Sequence, residues 1–267
     1  MKNKFPDFKL NLNNILLIGA FQGIGLELAK LLASCNANLL LVGRTKKKGI
    51  KAINEIRQIN PDIEIDFICL DLYKRENRNK LYKITKQKYP GGIDHLVSFL
   101  GSGKTSFGST VKINLWRDMF EKNFFSVVDL VNILLPLLIK SKKQKSILIT
   151  SAIAAIERLS APESYSCSKA ALSSYIPHLA KDLVKNNIRV IGINPGNIFF
   201  NGGRWEEIIK QKGIKKIKEN ILKDVTMKRL GLAEEIAWNY LTLMSPRNSF
   251  MTGVNIIVDG QQVKKTI

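Results

Sequence analysis

Cysteine is scarce in this sequence. Only Cys35, Cys69 and Cys167 occur among the 267 residues, and their spacings are unrelated to one another. A disulfide framework needs an even set of cysteines, and a structural metal site needs closely spaced pairs. We therefore expect no disulfide and no bound metal, and the pattern is typical of a protein from a reducing cytoplasm.

Long hydrophobic runs are also missing. The longest apolar stretch, residues 127–139, is interrupted by Asp129, Asn132 and Pro136. A transmembrane helix needs about 20 consecutive, mostly apolar residues. Residues 1–13 carry charges and a proline that break up any apolar core of a signal peptide. We therefore expect a cytoplasmic protein with no membrane partner.

Acidic residues are few relative to basic ones. The chain has 22 Asp and Glu against 42 Lys and Arg, a formal charge of +20. Such a charge could indicate nucleic-acid binding. However, the lysines are dispersed, and most of their groups contain no aromatic residue, which favours a solvated lysine-rich surface and no nucleic-acid partner. The same surface would attract anionic ligands, including phosphorylated cofactors and acidic substrates.

A glycine-rich turn follows the first apolar stretch, residues 15–18. Glycines stand at Gly19, Gly23 and Gly25, and the apolar residues after them recur at helical spacing. This pattern predicts a buried strand, a tight turn and a helix. Glycines let the backbone approach a pyrophosphate, and the helix N-terminus favours an anion. The spacing is G-x-x-x-G-x-G, so an ordinary turn without a ligand stays an open alternative.

Strand and helix patterns alternate along the whole chain. They predict an α/β fold with a doubly wound, mostly parallel seven-stranded sheet of the Rossmann type and helices on both faces. No linker or repeat divides the chain, so we expect one domain over residues 1–267. A lysine-rich amphipathic stretch near residues 198–222 is predicted to be a substrate lid, with an ordinary surface helix as the alternative. The seven predicted strands cover residues 15–18, 39–42, 63–69, 95–101, 146–150, 189–194 and 254–258.

The ends of the second and third strands carry charged side chains. Arg44 follows the second strand, and the nearest downstream acid is Glu55, inside the next predicted helix. An acidic residue here would select NAD, whereas an arginine accommodates the 2′-phosphate of NADP. The sequence therefore favours NADP(H) over NAD(H), with a solvated loop role for Arg44 as the alternative. Asp71, after the third strand, could bond the adenine amine or cap the next helix.

Four polar residues in the second half of the chain form a further pattern. Tyr165 and Lys169 are four residues apart, hence on one face of a helix that a capping box at residues 160–163 is predicted to start. Ser151 follows the fifth strand, and Asn123 lies in a long helix predicted over residues 116–140. Taken singly, these residues could be a surface pair, a strand-end hydroxyl and a solvent-facing amide.

Together these motifs resemble the short-chain dehydrogenase/reductase family over nearly the whole chain. In three places the chain departs from the family pattern: Ile18 replaces the usual Thr before the glycine turn, residues 98–101 read Ser-Phe-Leu-Gly instead of Asn-Asn-Ala-Gly, and Phe200 replaces the usual Thr after Pro-Gly. Residues 101–104 and 195–205 look like a subgroup found in bacterial surface-sugar biosynthesis. The matching motifs are Gly19, Gly23 and Gly25; Asp71; Asn123, Ser151, Tyr165 and Lys169; Pro195-Gly196; Thr252-Gly253; and Val258-Asp259-Gly260.

The resemblance implies a catalytic set and a cofactor site. Tyr165 would donate a proton to a carbonyl oxygen that Ser151 holds, and Asn123 would hold a water linked to Lys169. An ammonium about 4 Å away would lower the pKa of the tyrosine by about three units. The resemblance also implies a homotetramer or homodimer. The implied cofactor-binding residues are Gly19, Gln22, Gly23, Ile24, Gly25, Arg44, Asp71, Leu72, Ser98, Gly101, Lys169, Pro195, Gly196 and Ile198.

The function expected from these residues is hydride transfer between NADP(H) and a small-molecule carbonyl or alcohol. A sugar or sugar nucleotide is one substrate class, and the basic surface suits an anionic one. Reduction of a 3-oxoacyl thioester on an acyl carrier protein is the alternative within enzymes. From another class, the chain could be a non-catalytic protein that binds and senses the cofactor.

Overall fold

A seven-stranded parallel sheet forms the centre of the computed structural model, which describes residues 7–220 and 222–264. Its order is β3-β2-β1-β4-β5-β6-β9, and every neighbouring pair is parallel. This confirms the predicted fold class. A separate parallel pair, β7 with β8, is too short to leave a periodic pattern in the sequence. The strands are β1 (Asn14–Ile18), β2 (Asn38–Gly43), β3 (Ile65–Cys69), β4 (His95–Ser98), β5 (Lys145–Thr150), β6 (Ile188–Pro195), β7 (Ile198–Phe199), β8 (Gly231–Leu232) and β9 (Val254–Val258).

Helices cover both faces of this sheet. One face packs against α1, α2 and α9, and the other against α3, α5 and α6, with α4 resting on α6. Residues 1–6, 221 and 265–267 of the expected domain 1–267 lie outside the described residues. The helices are α1 (Gly23–Ser34), α2 (Lys46–Ile59), α3 (Arg75–Lys88), α4 (Ile113–Phe120), α5 (Ser126–Lys140), α6 (Glu163–Leu183), α7 (Arg204–Lys212), α8 (Ile214–Asn220) and α9 (Ala233–Met244).

The central strand β1 shows why the sheet forms. Ile15 and Leu17 face one helical layer, Leu16 and Ile18 face the other, and all four are almost fully buried. Burying each such side chain contributes about 1.5–3 kcal/mol. A strand that is apolar on both faces is stable only between two helical layers, which is the arrangement of a parallel sheet.

The helix predicted over residues 116–140 is not continuous α-helix. A π-helical turn, Glu121–Phe125, separates α4 from α5. Asn123 lies on this turn and is fully buried, so the solvent-facing alternative is wrong. Val127, Leu130 and Leu134 of α5 are packed into the core. By length and composition, the whole stretch Ile113–Lys140 could cross a membrane. This is weak evidence of a membrane span, because the core helix of a soluble protein passes the same test.

The capping box predicted at residues 160–163 is also wrong. Helix α6 begins at Glu163 with Pro162 as its N-cap, and no side chain caps it. The Glu163 carboxylate instead accepts a hydrogen bond from the Gly108 backbone N–H at 2.6 Å. It therefore ties the start of α6 to the loop that follows β4, a long-range contact that spacing in the sequence does not reveal.

Candidate active site

A cavity of about 1270 Å³ lies at the carboxyl edge of the sheet. One end is lined by Arg44, Asp71 and Tyr73, from the loops after β2 and β3, and the same cavity reaches Tyr165 of α6 and Trp205 of α7. Ligands of doubly wound sheets bind outside the carboxyl ends of the strands, where the strand order reverses. The position and size therefore indicate the ligand site of this fold.

The glycine turn joins β1 to α1 at this edge. Gly19 and Gly23 have φ angles of +81° and +60°, which glycine adopts more readily than other residues. A Cβ built on Gly25 would lie 2.7 Å from the Ala20 Cα, so that position also needs glycine for close packing. Gln22 is the N-cap of α1 and accepts a hydrogen bond from Lys48 Nζ.

Arg44 and Asp71 both line the cavity, at the ends of neighbouring strands. The Arg44 guanidinium carbon lies 5.8 Å from the centre of the Tyr73 ring. The Asp71 carboxylate accepts the Tyr73 backbone N–H at 3.2 Å, while α3 has Lys74 as its N-cap, so Asp71 does not cap that helix. The Leu72 side chain is buried in the core, which leaves only its backbone for a ligand.

Asn123 fixes the loop after β4. Its Oδ1 accepts the Ser102 N–H at 2.8 Å, and its Nδ2 donates to the Ser102 carbonyl at 2.9 Å. A Cβ built on Gly101 would lie 2.7 Å from Asn123 Oδ1 and 3.0 Å from Lys169 Nζ, so only glycine fits between the amide and the ammonium. The expected water held by Asn123 stays a prediction.

Tyr165 and Lys169 lie one turn apart on α6, and Tyr165 lines the cavity. Lys169 Nζ donates to the Thr150 carbonyl at 2.9 Å. Burial lowers the pKa of Lys169 to about 7 and raises the pKa of Tyr165 to about 12. The expected lowering of the tyrosine pKa is therefore absent. The reason is that burial is the one effect that shifts the pKa of the phenol, and no attraction by the Lys169 ammonium offsets it.

Three residues from the end of β6 line the same cavity: Pro195, Gly196 and Ile198. The Gly196 N–H donates to the Val258 carbonyl at 3.0 Å, and a Cβ on Gly196 would lie 2.8 Å from the Asp259 Cα. The Pro195-Gly196 turn is therefore held against the end of β9, and it faces the cavity opposite the loop after β4.

A family model described as short chain dehydrogenase matches residues 13–202, most of the chain. The chain belongs to the short-chain dehydrogenase family. It is therefore an oxidoreductase with a Rossmann fold that binds NAD(P) and acts on alcohol or carbonyl groups.

Individual relatives agree with this assignment. The chain is 26% identical over 246 residues to the 3-oxoacyl-(acyl-carrier-protein) reductase of Chlamydia muridarum, with 92% of this chain and 95% of the relative covered. It is 28% identical over 251 residues to the 7alpha-hydroxysteroid dehydrogenase of Escherichia coli K12, with 94% of each covered. The structure of L-sorbose reductase from Gluconobacter frateurii with NADPH and L-sorbose has a TM-score of 0.90 at 24% identity, covers 98% of this chain and 100% of that one, and shows the shared fold.

In this short-chain dehydrogenase the Ser151 hydroxyl forms two internal hydrogen bonds. Ser151 Oγ donates to the Lys169 carbonyl at 3.1 Å and accepts from Ser173 Oγ at 2.8 Å. The hydroxyl is thus directed at α6, and the next residue, Ala152, has no polar side chain. Ser151 also lines the cavity, so its expected role of holding the substrate oxygen stays a prediction, with two of its hydrogen-bonding directions already used within the protein. Sequence reasoning missed Ser173, although Tyr165, Lys169 and Ser173 share one four-residue spacing.

The departure at residues 98–101 changes what lies beneath the glycine turn. Ser98 is buried, and its Oγ accepts the Leu100 N–H at 3.4 Å, whereas Gly101 lines the cavity. The centre of the Phe99 ring lies 5.0 Å from that of Tyr240, and a Cβ built on Gly25 would lie 3.1 Å from the Phe99 ring. An aromatic ring therefore supports the turn in this short-chain dehydrogenase.

The departure at Phe200 affects the outer side of the turn. A Cβ built on Gly23 would lie 2.9 Å from the Phe200 ring, so the ring rests on the turn. Of the turn residues 19–25, only Ile24 is among the described residues that line the cavity. The connection after β6 thus covers part of the predicted phosphate-binding surface.

Several residues of the cavity carry no sequence motif. Lys104, in the loop after β4, forms an ion pair at 3.0 Å with Glu207 of α7, and Trp205 and Ile208 of α7 line the cavity. The described lining has more cations than acids: Arg44, Lys74, Lys104, Lys122, Arg158, Arg204 and Lys264 against Asp71, Glu157 and Asp224. Within the described residues, no group of three or more His, Cys, Asp or Glu side chains could hold a metal ion.

Proposed function

We propose that this protein is an NADP(H)-dependent reductase of a small-molecule carbonyl compound, or a dehydrogenase of the corresponding alcohol. The observation that carries the proposal is that Arg44 and Tyr165 line one continuous cavity. A guanidinium at one end suits a phosphate, and a phenol at the other suits a proton transfer. The cavity thus offers both groups to one extended ligand.

The residues present fit a phosphorylated dinucleotide. Arg44 would hold the 2′-phosphate, the Asp71 carboxylate would accept from the adenine amine, and the glycine turn would receive the pyrophosphate. Lys169 would bond the nicotinamide ribose, and Pro195, Gly196 and Ile198 would lie under the nicotinamide. The dinucleotide, when bound, supplies or accepts the hydride.

Tyr165 would manage the proton. Because burial raises the pKa of Tyr165 to about 12, its phenol is protonated at neutral pH and is available to a carbonyl oxygen that gains negative charge. Lys169, held by the Thr150 carbonyl, lies one helical turn away and would stabilise the phenolate left behind.

The substrate end of the cavity supports an anionic substrate. The excess of lining cations attracts carboxylates and phosphates. We propose a sugar or sugar nucleotide as the first class. The second is a 3-oxoacyl thioester on an acyl carrier protein, which the similarity to the Chlamydia muridarum reductase favours. A non-catalytic cofactor sensor has no need of a phenol that lines the cavity with a buried lysine one helical turn away from it.

Residues 198–222 would form the substrate lid. The ion pair between Lys104 and Glu207 joins this segment to the loop after β4, and Trp205 faces the cavity. We also propose a cytoplasmic homotetramer or homodimer. The apolar side chains of Ile113 and Phe125, exposed on α4 and the π-helical turn, support the assembly, and light scattering measures its mass.

The test is a screen for NADPH oxidation with ketoses, sugar nucleotides bearing a carbonyl, and 3-oxoacyl thioesters. With the substrate found, Tyr165→Phe should lower turnover by about 100- to 10,000-fold, because the general acid is lost. NADPH affinity, measured by calorimetry, should stay nearly unchanged, which shows that the variant is folded. Retained turnover in Tyr165→Phe would contradict the proton-donor role.

A further inference from the structure

Tyr73 lies at the cavity floor but belongs to none of the motifs identified in the sequence. It follows β3, lines the cavity and is partly buried. Its backbone N–H donates to Asp71 Oδ1, which closes a tight local turn and fixes where the side chain leaves the backbone. No motif in the sequence accounts for this large aromatic side chain, which lies between residues predicted to bind the cofactor.

The Tyr73 ring faces two cations. The Arg44 guanidinium carbon lies 5.8 Å from the ring centre, and Lys122 Nζ lies 6.0 Å from it. Cations within about 6 Å of an aromatic ring centre are attracted by its quadrupole. Lys122 Nζ is also held by Asp118 Oδ2 at 2.7 Å, whereas the exposed Arg44 has the Tyr73 ring as its described contact. The ring therefore restrains the arginine.

The hydroxyl of Tyr73 feels the charge of Arg44 as well. Burial, the largest effect, raises the pKa of this hydroxyl, the Arg44 guanidinium lowers it, and the nearby Gly101 backbone N–H lowers it to a smaller extent. Gly101 in turn lies against Asn123 and Lys169. The partly buried ring thus lies beside the Arg44 guanidinium at its face and near the Gly101 backbone at its hydroxyl.

We propose that Tyr73 is a positioning residue that holds Arg44 ready for the cofactor 2′-phosphate and thereby sets the preference for NADP(H) over NAD(H). The inference rests on the proposed NADP(H) dependence. A free arginine samples many rotamers, and a phosphate must order it on binding. An arginine already held on a ring loses less freedom, so binding of the phosphate is tighter. NADH has no 2′-phosphate, so its affinity does not depend on how Arg44 is held.

The experiment compares Tyr73→Leu with the matched variant Tyr73→Phe in the full chain. Dissociation constants for NADPH and NADH are measured by calorimetry. Tyr73→Leu should weaken NADPH about fivefold, or about 1 kcal/mol, and NADH less than twofold. Tyr73→Phe keeps the ring and should retain most of the preference. In an Arg44→Ala background, Tyr73→Leu should no longer affect NADPH, because the two residues act as one unit.

The outcomes separate this inference from the proposed function. Equal losses for NADPH and NADH in Tyr73→Leu, or an undiminished effect in the Arg44→Ala background, would overturn the role of Tyr73 alone. A wild-type protein that shows no preference for NADPH would overturn the proposed cofactor and this inference with it. Melting temperatures without cofactor check that Tyr73→Leu is folded.

Discussion

At the scale of single residues, the hydrogen bonds of Ser151 determine what its hydroxyl can do. Its hydroxyl donates to the Lys169 carbonyl and accepts from Ser173, so two of its hydrogen-bonding directions are used inside the protein. Asn255 Nδ2 in turn donates to the Ser173 carbonyl at 2.9 Å. These contacts connect the end of β5 to the helix that carries Tyr165. The hydroxyl thus helps to place α6.

Replacing Ser151 with Ala should therefore have a modest effect on turnover. The variant should lose about 1–3 kcal/mol of stability, because both hydrogen bonds of the hydroxyl disappear. Turnover should fall less than tenfold, far less than in Tyr165→Phe, when both are measured with the same substrate. Ser173→Ala is the matched control, since it removes the partner hydroxyl and should behave alike. A loss in Ser151→Ala as large as in Tyr165→Phe would mean that this hydroxyl reaches the substrate.

The sequence allows some residues of the site to be placed and not others. Tyr165 and Lys169 share a helix face by spacing alone, which periodicity predicts. The direction of the Ser151 hydroxyl depends on Ser173 and on the packing of α6, and no local pattern encodes it. The same holds for the raised pKa of Tyr165, because burial is a property of the assembled fold.

At the scale of secondary structure, the strands of the main sheet are the most predictable elements. Buried parallel strands read as short apolar runs between turns, which locate most of the seven, whereas β3 is predicted from apolar residues that alternate over residues 63–69. The π-helical turn Glu121–Phe125 and the pair β7–β8 are different. The strands β7 and β8 pair residues that are far apart in the sequence, and a single π-helical turn is too short to change the apolar period of the helix around it, so neither is visible in the sequence.

The connection after β6 gives a prediction at this scale. Phe200 rests on Gly23, and Gly203 is close to the same ring, so a ligand at the glycine turn must compete with Phe200. In Phe200→Thr the ring is gone, and NADPH should bind about three- to tenfold more tightly because more of the protein has an open turn. Calorimetry measures the affinity.

The control for this prediction is Phe200→Tyr, which keeps a ring over Gly23 and should show no gain in affinity. Phe200→Thr should also melt at a lower temperature, because Phe200 packs against the core and its loss leaves a cavity. Weaker NADPH binding in Phe200→Thr than in the wild type would contradict the proposal that the ring covers the turn.

At the scale of the whole molecule, lowering the pH should destabilise the fold through a buried group far from the cavity. His95 at the start of β4 is fully buried, and its Nδ1 and Nε2 lie 2.7 Å and 3.0 Å from Ser146 Oγ and Asn13 Nδ2. Burial, assisted by the nearby cations Arg189 and Lys143, lowers the pKa of His95 to about 3. The fold therefore keeps this imidazole neutral at pH values where a free histidine is charged.

The stability of the protein should consequently fall as the pH is lowered from about 6.5 to about 3. In this window the unfolded chain protonates His95 and the folded protein does not, so the unfolded state binds one more proton and is favoured by acid. The contribution is about 1.4 kcal/mol per pH unit. The formal charge of +20, which only grows in acid, adds self-repulsion in the same direction. Urea unfolding at a series of pH values measures the slope, and His95→Gln should reduce it. The exposed His178 provides the matched control: His178→Gln should leave the slope as in the wild type, and equal slopes in all three proteins would show that His95 is not the group that senses acid.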